Sequence, residues 1–595
     1  MMSIKQRPSF NKDFTMPLLL DSQPESAVHN INNKETRTSV FLLDGPKTSD
    51  KGPGLQFEYP PDNGLGVSDG YVVSVENSVI EWTTVAGKQK FETSLTEFMK
   101  PLGRLNTLGD SRAIYDVASN RFIVTGAATD LSNKHHYVVA VSKDANPNDG
   151  WTYQSFDPPQ STDYPDQPTV ATDGSNIYLA SLLPTGQQEV LVANGPNNFD
   201  GKSPYTRITL GTNNGVYRQN AGVDRGDLIF ARQGRTITVK HIDATKRSVD
   251  ATSTVNLGNS ISAVYQEHAL PTQGTSREIN AGSMQVTGNA YSNGFLYVTF
   301  EDIPKTGPNT GVSNTHWAKL DVHDPSHVTL VAQGNISGAQ IGNGVGTFNS
   351  SVAVNGAGDV LINFTATGLS LAPSDYYVIQ YAGAGNDSFS KPVEYKASAG
   401  SFTDPAGSAN VSQITRWGDY SSAVADPANP HAFWISNEYG TSPGTNQWGT
   451  ATAHVIVTPP VVATHPVVVT PPILVPPIMV PPVAPAPLPK MAFIVSSVAE
   501  DHGQLLISGS KPAGGPSIIK EFMDNNYLGV VQEDRPGASF AMHIADVSVG
   551  AHNLTLALGG NNSAICGFTK TDGGTITALI PAATTNFALP VLTHS

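Results

Sequence analysis

The chain has 595 residues, enough for two or more domains with a large core; only 14% are charged, while Gly (55) and Pro (43) are abundant. That composition suits a turn-rich β protein rather than a helical one. A formal charge of -15 argues against nucleic acid or an anionic membrane as partner, and the single cysteine, Cys566, excludes an intrachain disulfide and a cysteine metal site.

Residues 1–54 read as a mostly irregular polar arm, with one strand around 39–43. The apolar run 16–20 is short and lies beside Asp21, so no cleavable signal peptide is expected. No stretch offers the ~18 apolar residues of a membrane span.

From 55 to 457 one unit recurs. It has a polar approach, a short apolar strand, a turn rich in Gly, Asn or Asp, and a second apolar strand. Its copies run over 62–75, 109–124, 163–180, 218–231, 280–298, 349–364 and 416–436. A spacing of roughly 50–70 residues exceeds the ~40–50 of compact propeller repeats, which implies long loops. The expectation is an all-β chain whose first domain is a β-propeller of seven blades, with six as the alternative count. A string of sandwiches competes, but no Cys…Trp…Cys framework appears.

Residues 458–490 are rich in proline, which fixes φ and removes backbone donors, so they predict a polyproline-type spacer. Residues 491–595 carry alternating strands and a hairpin over 518–531, as an Ig-like β-sandwich would.

In a propeller the mouth-side ends of the inner strands converge on one face, where ligands bind. That places Asp62, Asp110, Arg112, Asp163, Tyr164, Asp166, Arg218, Asn220, Arg277, Asn280, Asn349, Arg416, Trp417, Asp419 and Tyr420 in one candidate ring. Carboxylates and amides bond sugar hydroxyls, and Trp or Tyr stacks on the apolar ring face. The same residues at equivalent positions also cap strands and tie blades together. Two carboxylates flanking a sugar would support hydrolysis. Tyr164, Arg218 and His316 are the residues a lyase would use.

Other motifs carry less. Asp144–Gly150 partly matches a calcium loop, but position 12 is Ser155 and Pro147 interrupts it, so a plain turn is expected and structural calcium is a minor alternative. His135 and His136 are adjacent and face opposite sides of a strand, which is poor zinc geometry. The run 440–444 matches a nucleophile elbow without the strand-to-helix context. Arg225-Gly226-Asp227 reads as a turn. No catalytic signature, cofactor fingerprint or metal site is expected.

Several pieces of 55–457 resemble a family of bacterial exported β-propeller proteins, distantly sialidase-like in shape. They are 60–64, Gly109-Asp110 with Ile114-Tyr115-Asp116, Val141-Ser142-Lys143-Asp144 with Gly150-Trp151, Asp163-Tyr164-Pro165, 416–420, Asn437-Glu438-Tyr439 and Trp448-Gly449. The sialidase Phe-Arg-Ile-Pro-type motif has no equivalent. The second domain resembles Ig-like modules of bacterial adhesins through Ser508-Gly509, Asp524 with Tyr527-Leu528-Gly529, and 550–555. Both resemblances imply an extracellular or cell-surface protein, exported without an evident cleavable signal. The first expectation is therefore a propeller that binds a glycan or surface ligand, with the Ig-like module as spacer or attachment. The alternatives are a glycoside hydrolase or polysaccharide lyase acting at the channel mouth, and a purely structural surface protein.

Overall fold

The computed structural model describes residues 30–33, 37–47, 60–88, 91–212, 218–219, 226–262, 269–273, 278–282, 285–306, 309–385, 388–400, 414–442 and 447–458, and beyond these the strands between 494 and 579. The chain divides into two compact units, Met1–Thr458 and Pro459–Ser595. The proline-rich run from 459 lies outside the described residues.

Among the described residues, the first unit holds seven antiparallel sheets of four or five strands, six of them with neighbouring strands in chain order and the seventh completed by strands from the N-terminus. Their first strands are Gly64–Val67, Leu105–Asp116, Asp166–Thr172, Arg218–Gln219, Val286–Ser292, Gly346–Val354 and Ser422–Ala425. They are numbered sheets one to seven below. Short turns allow this meander: Asn120, Asn293 and Gly294 adopt the left-handed φ that tight hairpins need.

Many strands, such as Arg121–Asp130 and Val360–Gly368, are buried on both faces and read as continuous apolar runs, whereas outer ones such as Ser248–Asn256 alternate. The period of two then sends successive residues to different neighbours. Val73 and Val75 join a core with Phe122 and Val124 of sheet two, while Val72 faces Trp434 of sheet seven. Ile229 packs with Tyr178 of sheet three, and Leu228 and Phe230 with Val298 of sheet five. Further cores join sheets two and three (Ile123 with Leu179), five and six (Trp317 with Ile362), and six and seven (Leu361 with Ile435). Each sheet thus packs on the next and the last on the first, as in a β-propeller.

Closure uses the N-terminus. The strand expected around 39–43 is Thr38–Lys47, and it pairs with Trp448–Val457 inside sheet seven, from Thr38↔Val457 to Lys47↔Gly449. The expected strand is thus present and longer than expected, and a short strand, Asn30–Asn33, precedes it.

One unit boundary differs from the sequence reading. Asn280 lies on Glu278–Asn280, which belongs to a separate three-stranded sheet with Ala269–Pro271 and Ile414–Thr415. The fifth sheet instead begins at Val286. The turn before Phe295 lies where the sequence places it, but the strand that pairs across it begins at Val286 rather than at Asn280.

In the second unit, Ile494–Asp501, Gln504–Ser510 and Ser539–Ile544 form one antiparallel sheet, and five strands between Ile518 and Leu579 form another. The expected hairpin pairs Ile518 with Gln532.

Phe98 tests the packing. It is 2% exposed, and its ring lies 5.1 Å from Trp151 and 5.5 Å from Tyr153. Phe98→Ala should lower unfolding stability by about 3–5 kcal/mol in denaturant titration. A loss under ~1 kcal/mol would show that the cluster does not bear on the core as described.

Candidate functional site

A cavity of about 390 Å³ is lined by the first strands of six sheets, through Leu65, Arg112, Thr169, Thr287, Ser351 and Ala423 among others, and it reaches the turns after them at Val117, Asn293, Gly356 and Pro427; the acids described next are not in its lining. Four of these strands break register at the same end. The irregularities fall between Gly109 and Arg112, Asp166 and Thr169, Val286 and Gly288, and Phe348 and Ser351. In three of them a left-handed residue sits in the bulge: Asp110, Gln167 and Asn349. Asp62, just before sheet one, has the same conformation at φ 56°. Bulges re-aim side chains and free backbone donors from the ladder, and here the neighbouring sheet takes those donors up.

The resulting belt runs across sheets seven, one, two and three. The Asp419 N–H donates to Asp62 Oδ1 at 2.6 Å, and Asn77 Nδ2 donates to Asp62 Oδ2 at 2.6 Å. The Asp110 N–H donates to Asn77 Oδ1 at 2.6 Å, and the Gln167 N–H to Asp110 Oδ2 at 3.3 Å. Asn77 Nδ2 also donates to the Pro60 carbonyl at 2.7 Å. Buried donors and acceptors are thereby paired across three sheet boundaries.

The belt is crowded with acid. Asp62 is 1% exposed; burial, then the Asp419 and Asp110 carboxylates, hold it well above the usual carboxylate range. Burial and the Asp166 carboxylate push Asp110 up to about 6, against smaller opposing effects of the Gln167 N–H and Arg112. Glu438 accepts the Gly418 N–H; burial, and after it Asp62, raise its pKa well above normal. A Cβ at Gly418 would lie 2.5 Å from Glu438 Oε1, so a side chain there would displace the Glu438 carboxyl. Asp110 and Asp166 are half-buried and remain open to solvent.

The cations are engaged locally. Arg416 pairs with Asp419 at 3.1 Å, and the Arg112 guanidinium lies 3.3 Å from the centre of the Tyr420 ring. The structure thus brings together Asp62, Asp110, Asp166, Asp419, Arg112, Arg416 and Tyr420. Others sit apart. Trp417, expected to offer a ring to a sugar, is 1% exposed and packs with Phe348 and Trp448. Asp163 accepts the Gln160 N–H within its own loop. Tyr164 does reach the belt: a Cβ at Gly109 would stand 3.5 Å from Asn77 Oδ1 and 3.9 Å from the Tyr164 hydroxyl, and the Tyr164 ring lies edge-on to His135 at 5.3 Å. Asn280 caps Gly282 in the three-stranded sheet. Asn349 donates to Asn437 Oδ1 at 3.3 Å. Arg218 lies on its expected strand; Asn220 and Arg277 fall outside the described residues.

Sequence reasoning missed Asn77, Gln167 and Glu438. Asn437-Glu438-Tyr439 did carry a signal, as polar residues inside an apolar strand. Glu76 was missed as well. It is fully buried and accepts from Ser74 Oγ at 2.7 Å, from Thr450 Oγ1 of sheet seven at 3.3 Å and from Asn63 Nδ2 at 3.4 Å. His316, the lyase candidate, is buried with Nδ1 2.6 Å from Asn335 Oδ1, away from the belt.

The minor motifs resolve simply. Residues 147–149 form a single turn capped by Asn146. Asp227 of the Arg-Gly-Asp tripeptide is 2.8 Å from His241 Nε2. His136 faces Asp157 at 2.9 Å, while His135 meets Thr129 at 3.0 Å. Residues 443–446 of the elbow-like run lie outside the described residues. Among the described residues, no group of three or more His, Cys, Asp or Glu is arranged to hold a metal, and no helix is long and apolar enough to cross a membrane.

The fold and this mouth define an all-β chain of the propeller type with a carboxylate-rich channel end. No family model matches the sequence, and no curated protein matches it. Similar solved structures include an exo-β-1,3-galactanase from Phanerochaete chrysosporium (10% identity, 91% of this chain and 93% of that one, TM-score 0.28). A Trypanosoma rangeli sialidase matches at 8% identity over 94% of this chain and 93% of that one, TM-score 0.32. An endo-arabinase from Bacteroides thetaiotaomicron matches at 10% identity over 63% and 99%, TM-score 0.24. The activities named belong to those proteins.

The buried acids set a pH dependence. Burial, opposed by the Ser74 hydroxyl, raises Glu76 from 4.5 to about 8. It is then neutral in the fold up to about pH 8 but ionised in the unfolded chain above 4.5. Its contribution to stability is full below 4.5 and is lost as pH rises to about 8. Glu76→Gln should leave stability at pH 4 unchanged and increase it at pH 8 by roughly 3–5 kcal/mol in denaturant titrations. Equal stabilities of variant and wild type at pH 8 would contradict this.

Proposed function

We propose that the channel mouth is a glycan-cleaving site in which Asp110 is the general acid and Asp166 its carboxylate partner. This takes up the hydrolase alternative in place of simple binding. The observation that carries it is a half-buried carboxyl in the bulge of the sheet-two inner strand, raised to about 6 by burial and by Asp166 of sheet three. A general acid must keep its proton near the working pH, while its partner supplies negative charge to an oxocarbenium-like transition state or activates water. Burial and a like charge produce that division of labour. Asp62 and Asn77 lie behind the pair and orient Asp110 through its backbone N–H.

The rest of the chain enters the same proposal. The seven sheets are seven blades, 458–490 is a spacer, and 491–595 is an Ig-like module serving as spacer or attachment on an extracellular or cell-surface protein. The two antiparallel sheets of the second unit and the absence of a disulfide requirement support that reading.

The test is reducing-sugar release from a panel of polysaccharides, with product anomer analysis. Asp110→Asn and Asp166→Asn should each lower kcat/KM by about 100-fold or more, the size of general acid–base contributions. Because Asp110 must be protonated to act, kcat/KM should fall as pH rises through about 6. Variants as active as wild type, with an unchanged profile, would remove the pair from the chemistry.

A further inference from the structure

We infer that the central channel is a second ligand site, separate from the acid belt, and that it takes a small molecule with one carboxylate head and an aliphatic tail. The head meets Arg112, and the tail runs toward Val117 and Pro427. The site stands whether or not the belt cleaves glycans, because none of the belt's acids lines the channel.

The head group follows from charge. Arg112 is the only charged residue among the described residues that line the cavity of about 390 Å³. Its guanidinium lies 3.3 Å from the centre of the Tyr420 ring, and Tyr420 is fully buried. Stacking engages the face of a guanidinium. The N–H donors lie in its plane, along the edge, in the fork that matches a carboxylate. Asp110 acts on Arg112 from two residues back and is not in the lining, so a ligand carboxylate approaches from the channel side.

The tail follows from the wall. Its polar side chains are occupied within the protein. Ser421 Oγ lies 2.9 Å from both the Asn349 carbonyl oxygen and Ser351 Oγ. Ser422 Oγ donates to the Asn63 carbonyl at 3.1 Å, and Thr287 Oγ1 lies 3.1 Å from Ser350 Oγ. The Tyr115 hydroxyl donates to Asn120 Oδ1 at 3.2 Å, and the Tyr291 hydroxyl accepts the Gly294 N–H at 3.2 Å, so both hydroxyls are held at turns. Asn355 is tied to Asp359. Between Arg112 and the far turns the wall is therefore chiefly aliphatic, through Val67, Ile114, Val354 and Ala423. A sugar needs partners for its hydroxyls and finds few here, whereas an alkyl chain gains by leaving water.

The channel is also reachable. At the end away from Arg112, Val117 is 48% exposed, and Gly356 and Ala425 are exposed as well. From Arg112 to Val117 the strand advances about 17 Å at ~3.3 Å per residue, long enough for an extended alkyl chain.

The experiment titrates the full chain by calorimetry with butanoate, hexanoate and octanoate, and with octanol as the same tail without the charge. Octanoate should bind once per chain and at least tenfold more tightly than butanoate, since each buried methylene is worth about fourfold in affinity. It should also bind at least tenfold more tightly than octanol. Arg112→Gln should erase the advantage of octanoate over octanol. Arg112 also stacks on Tyr420, so a second variant leaves it in place: Ala425→Asp, at an exposed position in the lining, should weaken octanoate at least fivefold and leave butanoate unchanged. Octanol binding as tightly as octanoate to the wild type would overturn the carboxylate head, and equal affinities along the series would overturn the tail. Octanoate binding that neither variant alters would place the ligand outside the channel. No binding of any probe would leave a channel that holds only water and would overturn the site.

Discussion

The strand Thr38–Lys47 finds its partner, Trp448–Val457, only after the chain has built every intervening sheet. This pairing completes sheet seven, and sheet seven presents Trp434 to Val72 and Leu65 of sheet one. Without it the last sheet would lose its outer strands and the ring would have two free ends. The cost is a long-range closure, which is slow to find but removes exposed edges. The channel exists because the ring closes, and the mouth exists because the inner strands then share one end.

Closure also explains why the mouth is acidic and partly neutral. Where sheets meet, bulged backbone N–H groups need acceptors, and short carboxylates and amides reach across. Asp62 and Asn77 do this between sheets seven, one and two. Packing several such acceptors together raises their proton affinity, because burial and mutual repulsion act in the same direction. One half-buried member of this belt, Asp110, is thereby raised to about 6. The same residue is both tie and chemical candidate, so structural and functional roles need not be opposed.

Much of the sheet order was legible in the sequence. Six of the recurring units fall on the first two strands of a sheet, because Gly, Asn and Asp mark tight turns and because strands buried on both faces read as apolar runs. The fifth unit was misplaced, since a short strand of the three-stranded sheet, Glu278–Asn280, precedes Val286 and carries similar residues. The site was legible in part. Asp62, Asp110 and Asp419 stand at visible polar approaches, whereas Asn77 and Glu438 are brought in by pairing and packing. No local pattern distinguishes Trp417, buried against Phe348, from an exposed sugar platform. Side-chain direction at a turn depends on φ, and the left-handed φ of Asp110 and Gln167 cannot be read from residue type alone.

The account turns on where a sugar sits. A crystal structure of the protein with an oligosaccharide that it binds measures this directly. The account predicts a sugar ring over the channel mouth, with a glycosidic oxygen within hydrogen-bond reach of Asp110 and the ring flanked by Asp166. A sugar bound on an outer face of the sheets, with Asp110 and Asp166 contacting none of it, would contradict the account.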